Sequence, residues 1–460
     1  MKKLAELNNL KYKIFTWGCQ MNEDDSEQIA ALLSSMGYSQ TDDENEADVA
    51  ILVTCSVRNK PEDKARSKLG ELNLIKQNKP NMIIGVCGCM AQKEGKALRK
   101  GRPYLNFVVG TSNIHRIPEL VAMSSKGSGF MYCLEMPEKA DEKKEVPIRT
   151  NRNNYALKSF VPVMYGCDNF CSYCVVPYVR GRERSRELDD IISEIKKLAE
   201  NGRKEITLVG QNVNSYGATL NKKIDFSDLL YEVSKIDGIE RIRFTTSHPK
   251  DLSDKLIYAI RDIDKVCEHI HLAVQSGDNT VLERMNRKYT SEHFLERVQT
   301  LRKAVPNIAI TTDFLVGFPG ETQEQFENTL KLAEKVRFDS AYMFSYNIIP
   351  NTEASKYKDQ LTKKEKNRRL AELIKLQNSI TCEINSSEVG NEYEVMVEGI
   401  SSKDKNKYSG LTRTGKTVNF SGSECKSGDF VVVKTTSAHL YGFTGELVCK
   451  AAKKEACGAS

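Results

Sequence analysis

Apolar runs and helical stretches alternate from Lys11 to about Ser124. The runs KYKIF (11–15), VAILV (49–53), MIIGV (82–86) and FVVG (107–110) have strand length, and stretches between them, such as SEQIAALLSSMG (26–37), repeat apolar residues at helical spacing until Gly37 stops them. This alternation predicts a parallel α/β domain. Residues 124–154, with SSKGSG and EKADEKKEVP, lose apolar content and are expected to link two domains. From about Phe160 the alternation resumes in VPVMYG (161–166), ITLVG (206–210), IRFTT (242–246), HIHLAV (269–274), IAITTDFLVG (308–317) and SAYMFSY (340–346). In ELDDIISEIKKLAENG, Leu188, Ile191, Ile192, Ile195, Leu198 and Ala199 form one stripe and Gly202 caps it. Six strands each followed by a helix predict a partial or full β/α (TIM-like) barrel, with its chemistry at the C-terminal strand ends. Beyond the charged helix at 362–378 the period becomes two, in EYEVMVEG, KTVNFSG and DFVVVKTTSAHLYGFTGELV, which predicts a small all-β barrel of roughly 60 residues. The fold class is therefore α/β with a terminal β barrel, and the expected domains are 10–126, 153–383 and 386–450.

Composition narrows the function classes. A chain of 460 residues with 40% hydrophobic and 28% charged residues is neither a disulfide-stapled miniprotein, nor globally disordered, nor fibrous. The start lacks an uninterrupted apolar stretch with a cleavage site, and no run of about 18 apolar residues occurs, so a cytoplasmic protein without membrane contact is expected. A net charge of +6 permits nucleic-acid binding without arguing for it, so any polyanion site must be local. Thirteen cysteines in such a chain point to buried thiols, metal or cluster ligands, or catalytic thiols rather than disulfides.

Spacing separates these. Cys167, Cys171 and Cys174 lie in GCDNFCSYC directly after an apolar run. Structural zinc normally takes four ligands from paired CxxC units, and a second CxxC is absent from the sequence. Three thiolates instead leave one iron of a [4Fe–4S] cube open for chemistry. Cys19, Cys55 and Cys89 lie 36 and 34 positions apart, each within four residues after a strand run, which in a parallel sheet puts all three at one edge. They read either as a second such set or as core thiols, and Cys87 competes with Cys89 for the third place. Cys133, Cys267, Cys382, Cys425, Cys449 and Cys457 share no spacing and read as structural or incidental.

CxxxCxxC after the first strand of a β/α domain resembles the radical S-adenosylmethionine superfamily, and other motifs narrow the likeness. WGCQMNEDDSEQ (17–28), VTCSVR (53–58) and GCMAQ (88–92) resemble the amino-terminal domain of the methylthiotransferases. VMYGCDNFCSYCVVPYVRGRERSR (163–186), LVGQNVNSYG (208–217), FTTSHP (244–249), HIHLAVQSGDNTVLERMNRKYT (269–290) and DFLVGFPGET (313–322) resemble their radical SAM barrel, and the terminal barrel resembles the TRAM domain, an RNA-binding module. GCQMN points to the MiaB type, which methylthiolates isopentenyl-modified adenosine at position 37 of tRNA. Ala273, Val53, Ile349, Asn351 and Leu411 depart from the family's usual residues, and none of these departures is expected to touch a cluster ligand.

The resemblance implies two [4Fe–4S] clusters and S-adenosylmethionine. Cys167, Cys171 and Cys174 would hold the cluster that binds and cleaves S-adenosylmethionine to a radical; Cys19, Cys55 and Cys89 would hold the one that carries the sulfur. No catalytic residue beyond the clusters is assigned. Implied partners are the tRNA anticodon stem-loop, an electron donor of flavodoxin or ferredoxin type and a sulfur source, with the enzyme a monomer. A sister methylthiotransferase acting on threonylcarbamoyladenosine in tRNA or on a ribosomal-protein aspartate is the alternative. A cluster-bearing electron carrier or RNA-binding regulator without turnover is the rival from another class.

Cofactor contacts are expected at strand ends: Gly210, Gln211, Asn212, His248, Gln275, and Gly317, Gly320 and Glu321 of the GFPGE turn. Each also reads as a plain turn residue. His269 and His271 share a strand face without acidic or thiol company and are expected to pack rather than bind metal. Arg180, Arg182, Arg184 and Arg186 follow the cysteine loop and either meet RNA phosphates or form a solvated loop paired with Glu183 and Glu187. Residues 386–450 hold 8 Lys+Arg and 8 Asp+Glu, so positive charge there is local, at Lys403, Lys405, Lys407, Arg413 and Lys416, the expected RNA-gripping face. Tyr408, Phe420 or Tyr441 are the candidate stacking groups.

Overall fold

The apolar runs become strands in a computed structural model of the chain, which describes residues 10–56, 59–136, 157–422 and 424–451. Most of the expected linking segment, Val57 and Arg58 of VTCSVR, and Cys457 lie outside the described residues. Two compact units are present: Met1–Gly202 with Ile206–Asp225 and Ile349–Thr352, and Arg203–Glu205 with Phe226–Ile348 and Glu353–Ser460. Each is described by itself.

The first unit begins with β1 (Lys11–Trp17), α1 (Gln20–Ser35), β2 (Ser39–Gln40), β3 (Val49–Thr54), α2 (Asn59–Asn78), β4 (Ile83–Gly88), α3 (Cys89–Glu94), β5 (Phe107–Val109), α4 (Ile117–Ser125) and β6 (Met131–Cys133). The strands form one parallel sheet in the order β2-β1-β3-β4-β5-β6. Every position of β3 and β4 is buried, because helices cover both faces; that is why VAILV and MIIGV read as unbroken apolar runs. On one face Ile29, Leu32 and Leu33 of α1 pack with Val49, Ile51, Val53 and Phe107. On the other, Ala65, Leu69 and Leu72 of α2 pack with Ala50, Leu52, Ile84 and Val86. A one-residue slip of β3 would exchange the two sets, so the register is strongly specified. That register pairs Trp17 with Thr54 and Thr54 with Gly88, so three chain segments leave the sheet at one level.

The same unit continues through β7 (Lys158–Pro162), β8 (Met164–Tyr165), α5 (Val176–Arg180), β9 (Arg184–Ser185), α6 (Leu188–Glu200) and β10 (Glu205–Val209). β7 lies beside β10, and β8 and β9 form a short antiparallel pair. The stripe expected on α6 buries Ile191, Ile195 and Leu198.

The second unit alternates α7 (Phe226–Ser234), β11 (Arg241–Phe244), α8 (Asp254–Asp262), β12 (His269–His271), α9 (Asn279–Arg284), α10 (Ser291–Ala304), β13 (Ala309–Val316), α11 (Gln323–Val336) and β14 (Ser340–Ser345). β12, β13 and β14 pair in parallel, and single bridges, Ile242 to Val266 and Ser247 to Leu272, join β11 to the β12 segment. The long α12 (Lys363–Ser387) leads into β15 (Glu392–Ile400), β16 (Tyr408–Thr412), β17 (Thr417–Ser421), β18 (Phe430–His439) and β19 (Gly442–Lys450). These five close into a barrel in the order β15-β16-β17-β19-β18 around Val395, Val397, Val418, Phe420, Val431, Val433 and Phe443. Closure removes exposed strand edges.

The barrel is bolted to the β/α part of its own unit. Arg241, 0% exposed, donates to the carbonyls of Leu411 (2.7 Å) and Glu394 (3.1 Å) and to Glu394 Oε1 (2.8 Å). Arg243 donates to the carbonyls of Thr412 and Arg413 and pairs with Glu205. From the barrel side, Arg413 grips both carboxylate oxygens of Glu268 at 2.7 Å and the carbonyls of Asp264 and Val266.

Candidate functional site

Cys19, Cys55 and Cys89 follow the ends of β1, β3 and β4, so the register gathers them at one sheet edge as their spacing predicts. Cys19 precedes α1 and Cys89 opens α3. Gly88 stands at φ +94°, and a Cβ there would lie 2.8 Å from the Thr54 carbonyl oxygen, so only glycine delivers Cys89 to this place. A hydrogen bond with Cys55, the Arg180 charge and the amides of Asn22 and Met21 hold the exposed Cys19 thiol down at about 5. Burial raises Cys89, and the Arg180 charge opposes that rise. Cys87, the rival for the third place, is a β4 residue between Val53 and Val109, packed in the apolar core with its thiol driven up by burial. Ile349, one of the departures from the family pattern, packs against the buried cluster of Cys89, Val175 and Val179.

Cys167, Cys171 and Cys174 share one loop, pinned at its base. Asp168 accepts from Arg182 Nε (2.7 Å) and Nη2 (3.0 Å) and from the Glu183 amide (3.1 Å), while the Cys167 amide donates to the Gly181 carbonyl. Gly166 has φ +73°, and a Cβ would sit 2.1 Å from the Arg182 carbonyl oxygen. N–H groups already face two of the sulfurs: Asn169 Nδ2 donates to Cys167 Sγ and the Val176 amide to Cys174 Sγ, both at 3.4 Å. Burial pushes the Cys167 thiol up to about 11. Among the described residues no three His, Cys, Asp or Glu side chains are arranged to hold a single metal ion. A four-iron cube makes no such demand, since its three thiolates bind three different irons, and both triplets supply the soft donors it takes.

The strand-end residues divide between the units. Gly210, Gln211 and Asn212 follow β10 in the first. There Gln211 Oε1 and both side-chain polar atoms of Asn214 are buried without a hydrogen-bond partner among the described residues, which fits a polar ligand at this strand end. Asn214 was not singled out by the sequence, although it lies in the same QNVNSYG motif. In the second unit, His248 follows β11 and accepts from the Lys250 amide; burial, with Arg287 and Lys250 nearby, holds its protonation down at about 2. Gln275, buried at φ +72°, bridges to β13 through its backbone. Gly317 and Gly320 form the GFPGE turn with positive φ, but Glu321 is turned into the protein, accepting from the Gly317 amide and pairing with Arg369, both at 2.7 Å. The turn thus has a structural use for Glu321 Oε2, while Oε1 is buried without a hydrogen-bond partner among the described residues. His271 has acidic company after all, Asp313 on the next strand at 3.3 Å, and His269 shares Thr311 with it.

The basic residues separate as sharply. Arg180 is buried, 5% exposed, against Asp25 at 3% and 2.6 Å, so it does not face solvent phosphates. Arg186 bonds the Pro162 carbonyl and Glu194. Arg182 is exposed but held by Asp168, and Arg184 lies half-buried on β9. Asp25, Asp168 and Glu194 are acidic partners of these arginines that the sequence did not suggest. On the barrel, Arg413 is engaged by Glu268, and Lys416 by Asp339 (3.2 Å) and Glu388 (2.7 Å). Lys403 and Lys405 are exposed, and Lys407 stands 3.6 Å from Asp404. Phe420 is fully buried beneath Tyr408, whereas Tyr441 is 80% exposed.

Comparison with known proteins assigns these regions. Residues 11–110 match the Uncharacterized protein family UPF0004, residues 161–333 the Radical SAM superfamily and residues 386–448 the TRAM domain. The chain is 48% identical over 453 residues to the tRNA-2-methylthio-N(6)-dimethylallyladenosine synthase of Thermoanaerobacter pseudethanolicus, covering 97% of this chain and 95% of that one. It is 49% identical over 442 residues to the protein of the same name from Alkaliphilus oremlandii, covering 96% and 93%. The fold is similar to that of the radical S-adenosylmethionine methyltransferase TsrM from Kitasatospora setae, with a TM-score of 0.57 at 14% identity over 75% of each chain. No helix among the described residues is long and apolar enough to cross a membrane. With both cysteine triplets inside matched regions and near one-half identity along almost the whole length, the chain belongs to the tRNA-2-methylthio-N(6)-dimethylallyladenosine synthase family of radical SAM proteins.

Proposed function

We propose that this chain is a tRNA methylthiotransferase that converts N6-dimethylallyladenosine at position 37 of tRNA to its 2-methylthio derivative, working in the cytoplasm as a monomer. The observation that carries the reading is the pair of cysteine triplets, each one thiol short of saturating a four-iron cube, in a chain so close to synthases of that name. Carbon 2 of adenine bears an unactivated C–H bond that no side-chain acid or base breaks at neutral pH; iron–sulfur clusters and S-adenosylmethionine supply the one-electron chemistry. Cys167, Cys171 and Cys174 hold the cluster at which S-adenosylmethionine binds, and Gly210, Gln211, Asn212 and Asn214 orient that cofactor. Cys19, Cys55 and Cys89 hold the second [4Fe–4S] cluster, the site of the transferred sulfur. Regions 10–126, 153–383 and 386–450 thus divide sulfur delivery, radical chemistry and RNA binding. Lys403, Lys405, Lys407 and Tyr441 face the anticodon stem-loop, with Arg182 and Arg184 beside the reacting base. A flavodoxin- or ferredoxin-type donor supplies electrons, and a separate source replenishes sulfur.

Anaerobically purified protein is expected to hold about eight irons. Reduction with S-adenosylmethionine should release 5′-deoxyadenosine; Cys171→Ala should abolish that product, and Cys55→Ala should spare some of it while ending methylthiolation. Full methylthiolation by Cys55→Ala would refute the two-cluster reading. Nucleoside analysis of tRNA from a deletion strain should show dimethylallyladenosine without its 2-methylthio derivative; loss of the threonylcarbamoyl derivative instead would select a sister activity.

A further inference from the structure

Arg180 is out of place for a surface arginine. α5 carries it from the loop of Cys167, Cys171 and Cys174 to the sheet edge, where its Nη2 donates to Asp25 Oδ2 at 2.6 Å. Both side chains are nearly fully buried, at 5% and 3% exposure. The contact is anchored on each side. Thr111 Oγ1 donates to the Val179 carbonyl at 2.6 Å, and Val175 and Val179 pack on Cys89. Asp25 Oδ2 also accepts from Asn22 Nδ2 (3.4 Å), while Asn22 Oδ1 accepts from the Cys19 amide (3.4 Å). A continuous polar chain therefore runs from Cys19 through Asn22 and Asp25 to Arg180, whose neighbour Val179 shares a buried cluster with Cys89. Burying a guanidinium and a carboxylate is a poor route to stability, because well-packed apolar residues stabilise such a position at least as well. Here the pair adjoins two of the three sheet-edge thiols, and its cation comes from the loop that holds the other triplet.

We propose that Arg180, oriented by Asp25, is a positioning residue of the sheet-edge centre: its fixed positive charge, buried close to Cys19 and Cys89, sets the reduction potential of the cluster they hold, and ties that cluster to the Cys167 loop. The inference rests on the two-cluster reading. Charge and hydrogen bonds at the sulfurs are established determinants of cluster potential, and a cation there favours the more negative, reduced form.

The test uses the full chain with Cys167, Cys171 and Cys174 all changed to alanine, which leaves the sheet-edge centre alone to be read by iron content and by a redox titration followed by electron paramagnetic resonance. Arg180→Met should lower the potential and reduce iron occupancy. Asp25→Asn, which removes the opposing charge, should shift the potential upward. Arg180→Lys should keep a potential closer to that of the unchanged site than the Met variant does. A merely structural ion pair predicts loss of thermal stability in the Met and Asn variants without opposite shifts in potential. Potentials that stay put, or move the same way in both, overturn the inference; if Arg180→Met does not fold, the upward shift in Asp25→Asn decides alone. No iron in the alanine background itself would remove the two-cluster reading and this inference with it, whereas about four irons with unmoved potentials would overturn the inference only.

Discussion

Replacing Arg241 by methionine tests whether the terminal barrel is part of a rigid body or a tethered module. The guanidinium is wholly buried and makes three hydrogen bonds, two to carbonyls of barrel strands and one to the Glu394 carboxylate. The carboxylate is 39% exposed and recovers water when the arginine goes, so its ion-pair contribution is small, below about 1 kcal/mol. The carbonyls of Leu411 and Glu394 lose a charged donor in a dry interface, at about 1–2 kcal/mol each. The sum is about 3 kcal/mol, a factor of roughly 100 in the ratio of undocked to docked barrel. Hydrogen exchange should accelerate by about that factor at 408–413 and 392–396, with little change in β12–β14, and calorimetry should resolve an earlier transition for the barrel. The exposed Lys403→Met is the control and should move neither. Unaltered exchange at 408–413 together with a single unshifted transition would refute the bolted arrangement.

Three other perturbations follow from the same contacts. Gly166→Ala places a methyl group 2.1 Å from the Arg182 carbonyl at a positive φ, so the Cys167 loop should shift and iron bound by that triplet should fall, measured in a Cys19→Ala, Cys55→Ala, Cys89→Ala background. His248 is held neutral in the fold, at about 2 against 6.5 in the unfolded chain, so its contribution is complete above pH 6.5 and is lost as pH falls; at pH 5 the loss is about 2 kcal/mol, and His248→Asn should flatten the fall in unfolding temperature between pH 7 and 5. Changing Lys403 and Lys405 together to alanine should lower the slope of log affinity for tRNA against log salt by about 1.5 while leaving 5′-deoxyadenosine release unchanged.

The strands and both cysteine triplets were legible because their signals are local. An unbroken apolar run marks a strand covered on both faces, and a cysteine just after each of three such runs marks a shared sheet edge once the strands are taken as parallel. The destinations of the arginines were not legible. Arg180 meets a carboxylate 155 residues away, and Arg413 one 145 residues away, so neither pairing leaves a trace in the neighbouring sequence. Next to Arg182, Arg184 and Arg186, Arg180 looks like one more surface cation. The His271 and Asp313 contact was hidden for the same reason, since it forms across two strands. Phe420 is different. It shares the parity of Val418 on β17, and the period-two pattern already turned it inward, away from any stacking role.

The two triplets differ in when they can exist. Cys167, Cys171 and Cys174 fall within eight residues, so they are neighbours in any conformation of the chain. Cys19, Cys55 and Cys89 become neighbours only after β1, β3 and β4 have paired in register, a long-range event that closes two loops of more than thirty residues. Iron therefore cannot nucleate this part of the fold, as zinc nucleates a finger. The amino-terminal sheet has to stand on its apolar cores alone, and on the two-cluster reading iron and sulfide delivered to its edge would meet a finished acceptor, while the loop offers its thiols from synthesis onward.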